Sequence, residues 1–207
     1  MDGNQLNIGY YLTHTGGYAS SSNVGPGAMP YWGNSNGTAD PGFYFNRTNN
    51  SSTASMLLEV AGYANINILG WYDVANPSVL NVIFTGPTAA GSAAVTFTPS
   101  ANYGLFLQVG PNGPIYFSQS SLNPSGDRTH QHFAVFSNNA GSAAPVYYVG
   151  VEDLPSGRTG IEGSGDYNDM VFVLRQVPNP VPEPASLALF GTGLVGIASL
   201  VRKRFRR

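Results

Sequence analysis

The densest group of chemically useful side chains in this sequence lies between residues 152 and 169. Five acidic residues, Asn168 and four glycines fall within these eighteen positions. Hard cations such as Ca²⁺ take about six to eight oxygen ligands, and glycine-rich loops allow several oxygens to converge. Neighbouring carboxylates also repel one another unless a cation lies between them. The segment therefore predicts a calcium site, with these ligands: Glu152, Asp153, Asp166, Asn168 and Asp169.

The same residues allow a purely structural interpretation. Residues 166–169 lack the spacing of an EF-hand, and the sequence contains no repeated acidic nonapeptide. Asn and Asp side chains often bond to nearby backbone N–H groups and can start a strand. A strand after Asp169 would place the odd-numbered residues of 170–174 on one face and the even-numbered residues on the other.

Two histidines offer a second candidate metal site. His130 and His132 are two positions apart, so on a strand both imidazoles would face the same way. A third ligand is not evident, because His14 is far away in the sequence. The alternative is a histidine in a turn followed by a histidine at the start of a strand.

Carbohydrate chemistry is the remaining possibility. Glycoside hydrolysis needs two carboxylates at a set separation, and Glu59, Glu152 and Glu162 are candidates whose separation the sequence does not give. Exposed aromatic rings could instead stack on sugar rings, or they could belong to the core: Trp32, Tyr44, Trp71 and Tyr116. We expect a structural or binding protein and not an enzyme. The alternative is a secreted polysaccharide-active enzyme.

Hydrophobic alternation predicts the elements that position these residues. Short apolar and aromatic segments alternate with turn signals, and one of them, residues 65–68, alternates Asn with Ile as expected for a sheet with one solvent-exposed face. The predicted strands are residues 56–61, 65–73, 79–85, 94–98, 103–109, 115–118, 132–137, 146–152 and 169–176, with shorter ones near 6–12 and 42–46. This pattern predicts an all-β protein, an antiparallel β-sandwich of jelly-roll-like type.

Composition limits the class of protein. Aromatic residues make up 12% of the chain, which argues against disorder, and Cys is absent, so neither disulfides nor thiolate sites exist. Residues 1–180 contain four Arg, no Lys and ten Asp or Glu, a net charge of −6. A nucleic-acid partner is therefore disfavoured.

The last 30 residues have the composition of a membrane anchor. A Pro-rich segment at 178–184 precedes the uncharged residues 185–201, which are long enough for about 25 Å of helix. A basic cluster follows and would hold that end in the cytoplasm: Arg202, Lys203, Arg204, Arg206 and Arg207. We therefore divide the chain into an irregular or β segment 1–54, a sandwich domain 55–177, a linker 178–184, a transmembrane helix 185–201 and a basic stop 202–207.

This tail resembles a PEP-CTERM sorting signal. The resemblance rests on the triplet Pro182, Glu183 and Pro184, the short apolar helix after it, and the Arg-rich end, in that order. It implies export across the inner membrane of a Gram-negative bacterium that makes extracellular polysaccharide, and processing by an exosortase. The expected location is the inner membrane, and then the cell surface or the extracellular matrix of a biofilm.

The domain ahead of the tail resembles an uncharacterised β-rich domain of bacterial surface proteins. Residues 149–153 and 165–172 are similar to the end of that domain, and residues 70–73 and 132–136 to its other landmarks. The likeness extends over residues 55–176 and brings no established activity. Asp153 and Asp169 lie where the acidic motif of that domain lies.

The N-terminus does not look like a secretory signal. Residues 1–5 include neither a basic segment nor an apolar one. We therefore expect that a signal sequence once preceded them or has been trimmed. The alternative is that the tail alone directs insertion.

Overall fold

A computed structural model describes residues 31–33, 43–47, 51–59, 61–137, 142–155 and 167–177. Within these ranges eleven strands form two sheets, and one 3-10 turn, Ser120–Leu122, lies between the eighth and ninth strands. The strands are β1 Tyr31–Gly33, β2 Phe45–Asn46, β3 Ser51–Glu59, β4 Asn67–Asp73, β5 Asn76–Thr85, β6 Val95–Phe97, β7 Asn102–Val109, β8 Ile115–Phe117, β9 Phe133–Phe136, β10 Val146–Val151 and β11 Met170–Val177.

All strand pairs in the two sheets are antiparallel. The first sheet has the order β1-β9-β10-β11-β3-β6, and the second has the order β2-β7-β4-β5, with β8 also paired to β7. For the described residues, the all-β, antiparallel prediction is confirmed and no α-helix is present.

The two sheets share one hydrophobic core. It contains alternate residues of strands from both sheets, such as Met56 of β3 and Leu105 of β7. Rings also meet across the sheets: the centroids of Phe84 and Phe172 are 6.2 Å apart. Burying each such side chain stabilises the fold by about 1.5–3 kcal/mol relative to leaving it exposed.

Strand β11 is buried on both faces. Met170, Phe172 and Leu174 belong to the shared core, whereas Val171 packs on the other face in a second cluster with Ala134, Phe136 and Tyr167. The two faces predicted for residues 170–174 are therefore confirmed.

Most predicted strands agree with the observed ones to within a few residues. Two strands differ from the prediction. No strand is predicted at β1, and β3 begins at Ser51 and not at residue 56, so it crosses the predicted boundary between residues 54 and 55. Its polar first residues pair with β11, with Ser52 opposite Gln176 and Thr53 opposite Arg175. Tertiary pairing here extends a strand that hydrophobic alternation does not signal. The strand predicted near residues 6–12 lies outside the described residues.

The faces predicted for residues 65–68, with Ile inward and Asn outward, are wrong. Asn67 is fully buried, and Ile66 is 43% exposed. Asn67 is the first residue of β4, on the same face as the core residue Leu69, and its amide finds a buried carboxylate as a partner. A polar side chain can lie on the inner face where such a partner exists.

No helix among the described residues has the length and apolar character needed to cross a membrane. The membrane helix predicted at residues 185–201, the linker 178–184 and the basic cluster 202–207 lie outside the described residues.

Candidate functional site

The pairing of β10 with β11 brings four of the five predicted calcium ligands to one end of the first sheet. Val151, the last residue of β10, pairs with Met170, the first residue of β11. Residues 152 and 153 therefore lie beside residues 168 and 169. All four side chains are buried. The fifth predicted ligand, Asp166, lies outside the described residues.

Carboxylates at this junction accept hydrogen bonds from backbone N–H groups. Asp153 N–H donates to Asp169 Oδ2 at 2.7 Å, and Tyr167 N–H donates to Glu152 Oε2 at 3.2 Å. Hydrogen bonds to ionised groups are stronger than neutral ones. These contacts are those expected from the structural interpretation, in which acids bond to backbone and start a strand.

Tyr167 holds an uncommon backbone conformation at the same junction. Its φ is +53°, in the left-handed region that non-glycine residues seldom adopt, and its side chain is 3% exposed. Its hydroxyl donates to the Gln131 carbonyl at 3.2 Å. The backbone and side-chain bonds of Tyr167 together stabilise a conformation that costs energy on its own.

Asn67 connects this junction to the second sheet. Its Nδ2 donates to Asp153 Oδ2 at 2.7 Å, and its backbone carbonyl accepts from Gly86 N–H at 2.8 Å. Within the ranges that the structure describes, Asn67 Oδ1 accepts no hydrogen bond, although the residue is 0% exposed. Asp153 thus joins the two sheets through Asn67.

His132 lies at the same end, just before β9. Its ring stacks on Tyr116 with centroids 3.6 Å apart, and its Nδ1 donates to the Glu152 carbonyl at 3.0 Å. Its Nε2 is 3.6 Å from Asp127 Oδ1, too long for a hydrogen bond. His130 is exposed in the preceding turn, so the two histidines do not form a pair of ligands. The interpretation as a turn histidine followed by a strand histidine is right to within one residue, because His132 immediately precedes β9.

Glu59 ends β3 opposite Met170. Burial raises the pKa of its carboxyl above the ordinary value; the Thr88 N–H bonded to Oε2 opposes this shift, and the negative charge of Asp153 adds to it. We call this end of the two sheets the polar end, defined by Glu59, Asn67, Asp127, His132, Glu152, Asp153 and Asp169.

A pocket of about 400 Å³ opens at the polar end. Four connections between strands form its walls, and the lining includes Tyr63, Val109, Tyr116, Asp127, Asp153 and Leu154. One of these connections is the tight turn after β7, where Gly110 has a φ of +74° that glycine adopts readily. The pocket lies within the range of roughly 300–1,000 Å³ that is typical of small-molecule sites.

The predicted sugar-stacking aromatics have different locations. Tyr116 is buried but lines the pocket, and Tyr44 is 42% exposed beside β2. Trp71 packs against the core, 6.4 Å from the ring of Phe97. Trp32 lies in β1, where the structure describes only the backbone.

The calcium and glycosidase predictions each include a residue that lies outside the described ranges. Among the described residues, no three His, Asp or Glu side chains are grouped closely enough to hold a metal ion. A calcium site would therefore need amide or carbonyl oxygens, or Asp166, in addition to the carboxylates. Glu162, one of the three candidate glycosidase carboxylates, lies outside the described residues. Both predictions stay predictions.

Sequence reasoning missed three residues of this region: Asn67 and Asp127 of the polar end, and Tyr63 of the pocket. Asn67 and Asp153 are 86 positions apart, and neither residue has a neighbouring motif that links it to the other. Their contact depends on which sheets pack together, and hydrophobic alternation does not give this information.

Two parts of the chain match known families. Residues 180–204 match the PEP-CTERM protein-sorting motif, and residues 91–176 match DUF4114, a domain of unknown function. The chain therefore carries a PEP-CTERM sorting signal with an uncharacterised domain ahead of it, as the resemblances predicted. The DUF4114 match begins at residue 91, so it includes Asp127 and Asp169 but not Asn67.

The sorting motif includes the triplet Pro182, Glu183 and Pro184 and the first three basic residues of the tail. It indicates membrane-anchored export to the cell surface through an exosortase. No curated protein matches the chain in sequence.

Among solved structures, the Chromobacterium violaceum lectin CV2L in complex with alpha-methyl-fucoside is a match with a TM-score of 0.34 and 11% sequence identity. The alignment covers 70% of this chain and 96% of the lectin chain. A likeness at this TM-score supports no conclusion about the fold or the ligand of this chain.

Proposed function

We propose that this chain is a cell-surface or extracellular-matrix protein whose domain, a jelly-roll-like β-sandwich, binds extracellular polysaccharide without cleaving it. The sorting motif supports the location. The observation that carries the binding activity is the pocket at the polar end, where the carboxylates of Asp127 and Asp153 occur together with the rings of Tyr63 and Tyr116.

This combination of side chains suits a sugar. Hydroxyl groups of a sugar donate hydrogen bonds that carboxylates accept, and the apolar face of a sugar ring packs against an aromatic ring. The pocket supplies both kinds of partner within one space of about 400 Å³. Small-molecule sites are typically apolar with a few well-placed polar groups, and this pocket follows that pattern.

The positions of the glutamates support binding over catalysis by the predicted glutamate pair. A glycosidase needs two carboxyl groups that face the scissile bond, one of them with a raised pKa. Glu59 has a raised pKa, but among the described residues neither Glu59 nor Glu152 lines the pocket. One oxygen of each is bonded to a backbone N–H.

The function is tested by incubating the protein with polysaccharide from the producing cell. Co-sedimentation without a change in polysaccharide length is the expected result. Shortened chains would mean that the protein is an enzyme, which is the alternative function. An absence of both binding and shortening would contradict both.

The details of sorting form part of the proposal. We propose that residues 185–201 span the inner membrane of a Gram-negative bacterium, that residues 202–207 lie in the cytoplasm, and that cleavage occurs near Pro184. The mass of the mature protein from its native cell tests this directly. Loss of the Arg-rich end is expected, and a mature protein that retains Arg207 would contradict processing.

We also propose that Ca²⁺ binds beside the pocket, at the junction of β10 and β11. Asn67 would add a sixth ligand to the five predicted ones. Its buried Oδ1 accepts no hydrogen bond within the described part of the chain, so this oxygen is able to coordinate a cation. Its amide group already contacts Asp153 through Nδ2. Calcium prefers carboxylate and amide oxygens of this kind.

A further inference from the structure

The composition of the pocket also bears on which sugars it accepts. Resting on the binding function proposed above, we infer that the pocket takes a single sugar unit that presents hydrogen-bond donors and carries no acidic group. Neutral hexoses and amino sugars have this chemistry, and uronic acids do not. The inference follows from the two carboxylates, their environment and the charge of the domain.

The carboxylates of the pocket are held in low-dielectric surroundings. Asp127 is 6% exposed and Asp153 is 2% exposed, yet both line the pocket. Charges interact more strongly where water is excluded. In the calcium-free protein, a uronic acid at this position would add a third carboxylate beside them, whereas a hydroxyl or an ammonium group would donate to them. Repulsion of this kind is a common source of specificity.

The orientation of Asp153 is fixed before a ligand arrives. Asn67 Nδ2 donates to its Oδ2, and its own backbone N–H donates to Asp169. Both partners belong to strands or to residues next to strands, so the carboxylate does not need to reorganise on binding. Preorganised groups lose less entropy when a ligand binds.

Tyr63 provides the aromatic surface at the edge of the pocket. It lies in the turn between β3 and β4, where its backbone carbonyl accepts hydrogen bonds from the N–H groups of Ile66 and Asn67. Its side chain is 38% exposed and lines the pocket. Tyr116, by contrast, is 1% exposed and has one ring face covered by His132. Tyr63 is therefore the ring that is best placed to pack against a sugar.

The net negative charge of the whole domain also disfavours acidic sugars. Residues 1–180 have a net charge of −6, so a polyanionic polysaccharide is repelled before it reaches the pocket. Salt strongly screens this long-range repulsion, but it screens the repulsion between charges inside the pocket much less. Discrimination against acidic sugars that persists at high salt therefore arises in the pocket.

The test is a glycan array with neutral, amino-sugar and uronic-acid oligosaccharides, bound by the full-length protein in detergent with EGTA at two salt concentrations, so that calcium on Asp153 does not alter the charge of the pocket. We expect all bound glycans to be neutral or to contain amino sugars, at both salt concentrations. Preferential binding of uronic acids would overturn the inference, and so would an array on which no glycan binds.

Two tyrosine variants locate the site. Tyr63→Ala should weaken binding about three- to tenfold, the effect expected for the loss of one aromatic contact. Tyr44→Ala is the matched control, because Tyr44 is 42% exposed and precedes β2 at the opposite end of β7. We expect it to bind as the wild type does. Equal binding by folded Tyr63→Ala would overturn the assignment of the pocket.

A third variant tests the charge. Asp127→Asn removes one of the two negative charges of the pocket with little change in shape, so it should bind uronic-acid glycans better relative to neutral ones. An unchanged ratio would contradict the proposed rejection of acids.

Failure of this inference can be distinguished from failure of the proposed function. If the polysaccharide of the producing cell co-sediments with Tyr63→Ala and wild type alike, polysaccharide binding stands and the pocket is not its site. If the polysaccharide does not co-sediment with the wild type, the proposed function itself fails.

Discussion

The two ends of the same pair of sheets are built from different kinds of side chain. At one end the ring of Phe45 stacks on Tyr103 at 5.3 Å and meets Tyr147 edge-on at 4.9 Å. We call this the aromatic end, defined by Phe45, Phe97, Tyr103 and Tyr147. At the polar end, the buried side chains include carboxylates, an amide and an imidazole.

The side chains of the aromatic end and of the polar end contribute differently to stability. Buried rings remove a large apolar area from water, and ring pairs add about 0.5–1.5 kcal/mol beyond that area. Buried polar groups must each find a partner, and a satisfied hydrogen bond has a net contribution of only about 0.5–1.5 kcal/mol. The aromatic end therefore stabilises the fold. The polar end contributes less, and its composition is explained better by ligand binding.

The largest expected effect is at the aromatic end. Phe45→Ala removes a fully buried ring that contacts both sheets, and should lower the free energy of unfolding by about 3–5 kcal/mol. Urea unfolding of the full-length protein in detergent measures this change. If the variant loses less than about 1 kcal/mol, the aromatic end does not have the role assigned to it.

Calcium should give the next largest effect, at the polar end. Calcium at a hundred times its Kd should add about 2.7 kcal/mol, and each kcal/mol raises Tm by roughly 2–4 °C for a domain of this size. We expect melting curves to shift upward by several degrees between EGTA and millimolar calcium. The double substitution Asp166→Asn and Asp169→Ala should abolish the shift.

Sodium chloride at matched ionic strength is the control for screening in this experiment. Melting curves that superimpose with and without calcium would contradict the calcium proposal. The acids would then serve only to form the turn, through the hydrogen bonds to Asp153 N–H and Tyr167 N–H.

Loss of the link between the sheets should have a smaller effect. Asp153→Ala leaves the buried Nδ2 of Asn67 without its acceptor, which should destabilise the protein by about 1–3 kcal/mol. Asp153→Asn is the matched control, because its Oδ1 accepts the same hydrogen bond. Equal unfolding midpoints for the two variants would show that the link between Asn67 and Asp153 does not contribute to stability.

Glu59→Gln should have the smallest effect, and it should be stabilising near neutral pH. The pKa of Glu59 is raised in the folded protein, so its contribution to stability is present below the ordinary value of 4.5 and is lost as the pH rises through the folded value. The neutral amide avoids this loss and still accepts the Thr88 N–H. Unfolding at several pH values tests this, since the advantage of the variant should vanish in acid. A variant that is less stable at pH 7 would contradict it.

The sequence predicts the strands well and the site only in part. Strands such as β4, β7 and β10 follow from alternating apolar residues and from turn signals, which are local properties. The grouping of residues 152–153 with 168–169 follows from their places at the adjoining ends of two antiparallel strands. The inward orientation of Asn67 and the wall formed by Tyr63 and Asp127 depend on the packing of distant segments.

Hydrogen exchange with and without a glycan from the array tests the division between the two ends most directly. We expect added protection in the connections that form the pocket, residues 61–67, 109–115, 124–132 and 152–155, and no change at residues 43–47 or 95–103. Such a result would place ligand binding at the polar end. Protection that appears at the aromatic end instead, or equally at both ends, would contradict the account.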